Sequence, residues 1–460
     1  MNDDPIRAAT AKMREAGQSE ASIRQFTSAM ARVQSGAQTL IPSAELEPVP
    51  DEPELEQLPG SDAAAVLERL AIIRLNGGLA TSMGLQQPKS LLEAREGRTF
   101  LEIIVGQTLA LRERYGVRLP LVLMNSASTR APALEALARY PQLAIPEVPP
   151  DFLQSMVPKL DAETMLPARW PADPALEWCP PGHGDVYASL LGSGMLEALR
   201  DQGFRYVMIA NADNLGAFPD PRIAGHLVRE QIPFLMEVVR GTAADRKGGH
   251  IAQRRSDGQL ILRETAQTPP EDAESFRDYE HWRYYNTNSL WIDLAAIEAR
   301  FADAGVLELP VIVNRKTVDP RDSNSAPVLQ LESAMGAAIG SFPGARLLEV
   351  PRTRFVPVKT TDDLLVLRSD VYRLGDEFHV ERAGGVDGRL PYVALDKQYY
   401  GIIDDFDARI CAGPLSLRDA ARLVVNGDVR FGAGVVVEGD VELAAPPEGL
   451  SIPDGTVLSG

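Results

Sequence analysis

Four short apolar runs, at residues 71–75, 119–124, 206–210 and 233–239, are separated by stretches whose composition suits helices, at 99–115, 129–140 and 186–200. Runs this short and predominantly apolar suit strands buried on both faces. Their alternation with helices predicts an α/β core built on a mostly parallel sheet covered on both sides. In such a sheet ligands gather beyond the carboxyl ends of the strands, so chemistry is expected in the loops that follow strands.

The flanks differ from this core. Residues 5–35 carry apolar Ile23, Phe26, Met30 and Val33 at spacings of three and four, which predicts an amphipathic helical segment. Residues 42–59 hold five prolines and six acidic residues without Lys or Arg, the composition of a linker or a wrapping arm. Near the C-terminus Val425, Phe431, Val437 and Leu443 recur every sixth residue among Gly427, Gly432, Gly434 and Gly439, and Ile452 and Leu458 resume the spacing. Period six predicts a β-helix cap that packs on the core or on another subunit. Glycine-rich turns in a plain β-sheet are the competing reading.

With 46 Lys plus Arg against 64 Asp plus Glu, the net charge of −18 excludes a general nucleic-acid binder. An anionic ligand must therefore meet a small, focused basic site. Cys179 and Cys411 are too few for a disulfide framework or a cysteine zinc site, which points to a reducing compartment. No apolar run approaches membrane-span length, and the N-terminus lacks signal-peptide character, so a cytoplasmic protein without membrane partners is expected.

After the first predicted strand comes Asn76-Gly77-Gly78-Leu79-Ala80-Thr81-Ser82-Met83-Gly84, followed by Pro88-Lys89-Ser90. Glycines there let backbone N–H groups approach phosphate oxygens, and Lys89 adds a point charge. The string is neither a dinucleotide-binding fingerprint nor a Walker A loop. Taken alone, it reads best as a tight turn between strand and helix. Asp213, in Asn211-Ala212-Asp213-Asn214, follows another strand, where a carboxylate suits either a hard divalent cation or the cap of the next turn. His183 stands between Gly182 and Gly184, just before a predicted helix start that favours an anion. His226, His250, His281 and His379 read as structural.

The string Leu75–Gly84 with Pro88-Lys89-Ser90 resembles the signature of the eukaryotic-type UDP-glucose pyrophosphorylases, or UTP–glucose-1-phosphate uridylyltransferases. The resemblance continues in order through Met124-Asn125-Ser126, Pro180–Asp185, Asn211–Gly216, Lys247-Gly248-Gly249, Asn286-Thr287-Asn288, Leu331-Glu332 and Val358–Thr361, from about residue 60 to the C-terminus. Ala80 stands where the family usually has glycine. The resemblance implies a Rossmann-like, GT-A-like nucleotidyltransferase core at 61–375 and a C-terminal left-handed β-helix domain at 376–460 through which a homo-oligomer could form; the N-terminal helix and acidic arm read from spacing and composition occupy 1–60.

The implied reaction is attack of a glucose 1-phosphate oxygen on the α-phosphorus of UTP, giving UDP-glucose and pyrophosphate. Both reactants are multiply anionic, so lysines and Mg²⁺ suit the task better than an acid/base pair. The resemblance assigns Lys89 and Lys359 as catalytic. It implies UTP contacts for Leu75, Asn76, Gly77, Gly78, Lys89, Gln154, Gly182, Asp213 and Lys359, with Asp213 on the metal. It implies sugar-phosphate contacts for His183, Asn211, Lys247, Glu264 and Asn288. A UDP-N-acetylhexosamine pyrophosphorylase is the nearest rival, disfavoured by Thr81-Ser82-Met83-Gly84 and His183-Gly184-Asp185; a non-catalytic nucleotide-sugar-binding paralogue is a second.

Overall fold

The computed structural model describes residues 4–36, 40–79, 81–242, 245–246, 248–384 and 390–460. A ten-stranded sheet forms its centre. Leu70–Asn76 lies between Tyr206–Asn211 and Leu121–Asn125, with Asp151–Leu153 beyond, and all of these pair in parallel. Successive residues feed opposite faces. Leu70, Ile72, Met208 and Ala210 join the core on one side, whereas Ala71, Ile73, Val207 and Ile209 join the core on the other.

The expected parallel sheet thus holds for the centre. Its flank is antiparallel: the long strand Tyr284–Asp293 pairs with Tyr206–Asn211 on one edge and with Phe234–Arg240 on the other. A register shift between Glu237 and Val238 bends this pairing. Opposite the bend, Asn288 adopts φ 56°, a left-handed conformation rare outside glycine.

Helices cover the faces. Phe100–Tyr115 begins in a capping box between Thr99 and Glu102 and ends at Gly116 with φ 66°. The helix expected at 129–140 starts earlier, at Ala127–Leu137, because Ser126 caps it. The helix expected at 186–200 is two, Val186–Gly192 and Met195–Asp201, because Gly194 takes φ 78° between them.

The N-terminal segment is two helices, Pro5–Glu15 and Glu20–Gln34, separated at Gly17. Ile23, Phe26 and Met30 are buried, as the spacing predicts, against Val157, Leu329 and Leu331. The acidic stretch is an arm. Leu46–Pro48 adds an antiparallel strand to His250–Arg254, and Val49 and Leu55 are buried. Arg283 binds the Val49 carbonyl and Asp51, while Arg240 binds Asp51 and Glu349. These arginines supply the counter-charge that the arm lacks in its own sequence.

At the C-terminal end, Ser416–Asn426, Val436–Ala444 and Val457–Ser459 stack as a parallel sheet, with Tyr392–Leu395 on its edge. Val429–Phe431 pairs in parallel with Leu450–Ile452. The period-six residues fall in register: Val425 on Leu443, Phe431 on Ile452, Val437 on Leu458. Val425, Phe431, Val437 and Ile452 are buried. Among the described residues no helix is long and apolar enough to cross a membrane.

Candidate active site

The carboxyl ends of the parallel strands open into a cleft of about 280 Å³. Leu75, Asn76, Gly77, Gly78, Lys89, Gln154, Gly182, His183, Asn211 and Asp213, all singled out from the sequence, line it together. Ser90, Met124, Pro180 and Ala212 complete the lining. All four lie inside motif strings, but as neighbours of more conspicuous residues they carry no chemical signal of their own.

Each side chain is held by the strand end that presents it. Asn76 and Asn125 close adjacent parallel strands. Asn76 Nδ2 donates to Asn125 Oδ1 at 2.8 Å, and Asn125 Nδ2 donates to Asp151 at 3.1 Å. Gln154 follows the next strand, anchored by its N–H to the Asn125 carbonyl at 2.8 Å. A Cβ on Gly77 would lie 2.3 Å from Gln154 Oε1, so the glycine lets the loop and this side chain meet. Gly182 has φ 80° and ψ 172°, a region open almost only to glycine. A Cβ there would also lie 2.5 Å from the Ser333 carbonyl oxygen.

Asp213 is the electrostatic centre. Lys89 Nζ and Lys359 Nζ each lie 3.0 Å from its Oδ2. Lys89 also donates to the Val358 carbonyl, next to Lys359. The other carboxylate oxygen, Oδ1, is buried without a hydrogen-bond partner among the described residues. A hard divalent cation accepts one such oxygen together with phosphate oxygens and water, so this donor set fits Mg²⁺. Among the described residues no cluster of three His, Cys, Asp or Glu side chains could hold a metal by protein ligands alone.

His183 Nδ1 accepts the Met335 N–H at 3.0 Å. Burial, reinforced by the charge of Lys359, lowers its pKa to about 4. At neutral pH the ring is therefore uncharged, with its proton on Nε2 as a donor. Two of the other histidines are packed as expected: His250 stacks on Trp282 at 4.6 Å and His379 on Phe218 at 4.0 Å.

Glu264 and Asn288 lie off this lining, on the antiparallel flank. Asn288 precedes Ser289, which pairs with Ala210, and so sits one strand over from Asn211. It is locked to Asn286 by two hydrogen bonds of 2.8 and 2.9 Å. The Glu264 carboxylate sits where a Cβ on Gly249 would come within 2.7 Å, and burial raises its pKa. Lys247 and Ala80 lie outside the described residues.

One feature of the site had no sequence signal. Arg74, fully buried within the apolar strand Leu70–Asn76, donates to the carbonyls of Asn211, Asn214 and Ala217 and so supports the Asp213 loop from below. Next to it Arg354 makes a two-pronged pair with Glu237, at 2.7 Å on each prong.

The family model described as UTP--glucose-1-phosphate uridylyltransferase matches residues 23–438. The chain belongs to this family. The enzyme of that name from Hordeum vulgare is 40% identical over 99% of this chain and 95% of its own length. That of Saccharomyces cerevisiae is 38% identical over 85% of this chain and 77% of its own. A crystal structure of a UDP-glucose pyrophosphorylase variant from Leishmania major, in complex with UDP-glucose, superposes with a TM-score of 0.93 at 41% identity, covering 99% of this chain and 98% of that one. Within the uridylyltransferase family, a cleft with two lysines on one carboxylate meets the demand of a reaction between two polyanions.

Proposed function

We propose that this chain transfers the uridylyl group of UTP to glucose 1-phosphate, releasing pyrophosphate and forming UDP-glucose. The observation that carries this reading is the convergence of Lys89 and Lys359 on Asp213 at the mouth of a glycine-lined cleft, in a chain of this family. Gln154 and the Gly182 backbone suit an amide-bearing base. Gly77 and Gly78 allow main-chain N–H groups close to phosphate oxygens. Lys89 and Lys359 exchange the Asp213 carboxylate for the triphosphate and offset charge on the departing pyrophosphate. Neutral His183 offers its Nε2–H to the sugar phosphate, while Asn211, Glu264 and Asn288, with Lys247, suit the sugar side. Asp213 would hold Mg²⁺, which when bound neutralises phosphate charge. In-line attack then needs no covalent enzyme intermediate.

The decisive measurement is pyrophosphate release with glucose 1-phosphate against N-acetylglucosamine 1-phosphate. Strong preference for glucose 1-phosphate is expected; the opposite preference would overturn the substrate assignment. We read the chain as an N-terminal arm, a catalytic unit at 61–375 and a C-terminal unit at 376–460. The stacked parallel coils of the last unit support a left-handed β-helix, and the exposed Tyr392 and Val457 on their surface suit a contact between subunits. Two free cysteines agree with a cytoplasmic location.

A further inference from the structure

We infer that Asn214 is a positioning residue for the transfer step: its side-chain amide fixes the segment that carries Lys359 to the loop that carries Asp213. The inference rests on the roles proposed above for those two residues. Asn214 is buried, directly after Asp213. Its Oδ1 accepts the Val356 N–H at 2.9 Å and the Gly216 N–H at 3.2 Å, and its Nδ2 donates to the Arg354 carbonyl at 3.2 Å. The main chain follows the same seam. Asn214 forms an antiparallel bridge with Pro357, and the Val358 N–H donates to the Asp213 carbonyl at 3.2 Å.

The chemistry of the primary amide explains the residue type. A planar group that donates on one side and accepts twice on the other can hold both its own loop and a neighbouring segment; a carboxylate lacks the donor and an alkyl group lacks both. The segment it grips is itself anchored, because Arg354 makes a two-pronged pair with buried Glu237. On the far side, the Lys359 N–H donates to Asp363 Oδ2 at 2.7 Å. The Lys359 side chain is 58% exposed, with a single ion pair among the described residues, so its own contacts do little to hold it in place. Where its ammonium stands relative to Asp213 is set by the backbone, and Asn214 sets the backbone.

Turnover, KM for UTP and the thermal midpoint are measured for Asn214→Ala, Lys359→Ala and the double variant. Asn214→Ala is expected to lower kcat on the order of 10²-fold, the scale of a misplacement of about 1 Å, with UTP KM changed only a few-fold. In the Lys359→Ala background the same substitution should change kcat less than about threefold, because the group it positions is gone. Multiplicative losses would overturn the inference, since a merely structural role acts independently of Lys359; so would near-normal turnover in Asn214→Ala. Unchanged turnover in Lys359→Ala alone would instead remove the underlying reading of the site. If Asn214→Ala does not fold, Asn214→Ser, which keeps one hydroxyl on the seam, carries the same cycle with the same two outcomes.

Discussion

Lys89 and Lys359 place their ammonium groups on the same oxygen, Oδ2 of Asp213, each at 3.0 Å. Without substrate the site thus balances part of its positive charge internally. The balance is uneven: the Lys89 side chain is 19% exposed and also donates to the Val358 carbonyl, whereas among the described residues Lys359 pairs with Asp213 alone and is 58% exposed. Exposed pairs of the second kind are worth at most about 1 kcal/mol, so Lys359 can leave Asp213 cheaply when phosphate arrives.

In the role proposed for Lys359, acting chiefly on charge that develops in the transition state, Lys359→Ala should lower kcat far more than it weakens UTP binding. A loss of at least about 10²-fold in kcat is expected, on the scale of removing one preorganised donor. Steady-state kinetics with a direct UTP-binding isotherm separate the two effects. A variant that lost affinity and kept turnover would show that Lys359 serves ground-state binding alone.

Gly182→Ala and Gly78→Ala should fail in different ways. At Gly182 the backbone conformation alone costs about 1–3 kcal/mol for alanine, before the clash with the Ser333 carbonyl. A lower thermal midpoint and lost activity are expected together. At Gly78 a Cβ meets nothing within 4 Å among the described residues, so the fold should be untouched. A higher KM for UTP at an unchanged midpoint would mark the backbone approach to phosphate as the reason for that glycine.

His250 provides a pH test of stability. Burial, then the charges of Arg263 and His281, lower its pKa to about 3, and among the described residues neither ring nitrogen has a hydrogen-bond partner. A depressed histidine takes up its proton first in the unfolded state. Its stabilising contribution is therefore complete above pH 6.5 and lost progressively as pH falls toward 3. His250→Phe keeps the stack on Trp282 and removes the titration. Between pH 7 and pH 5 it should lose less stability than the parent by about 2 kcal/mol, read from denaturation midpoints. Parallel curves for the two proteins would contradict the assignment.

Glu237→Gln should be more damaging than its distance from the cleft suggests. It removes the countercharge of Arg354 where both side chains are buried and weakens the Trp291 indole hydrogen bond of 2.8 Å. Breaking a buried pair on one side costs about 3–5 kcal/mol. A variant as stable as the parent would mean that the two arginines, Arg74 and Arg354, find enough compensation in backbone carbonyls alone.

The parts of the molecule legible in the residue order were those encoded by near neighbours in the chain. Predominantly apolar runs marked the central strands because burial on both faces calls for hydrophobic side chains, and the sixfold spacing marked residues that stack in register in the C-terminal parallel sheets. The glycine-rich string, His183 between glycines and Asp213 after a strand lie in loops at strand ends, and sheet geometry gathers such loops into one cleft. Resemblance to a family added Lys359, Gln154 and the sugar-side residues, which no local pattern singles out. The tertiary structure alone decided the rest. That the acidic arm adds a strand, that Arg74 can sit in an otherwise apolar strand, and that Asn214 joins Asp213 to the Lys359 segment all depend on partners remote in sequence. Such pairings are set by register and close packing across the whole core, and a one-dimensional pattern of hydrophobicity and charge carries no record of them.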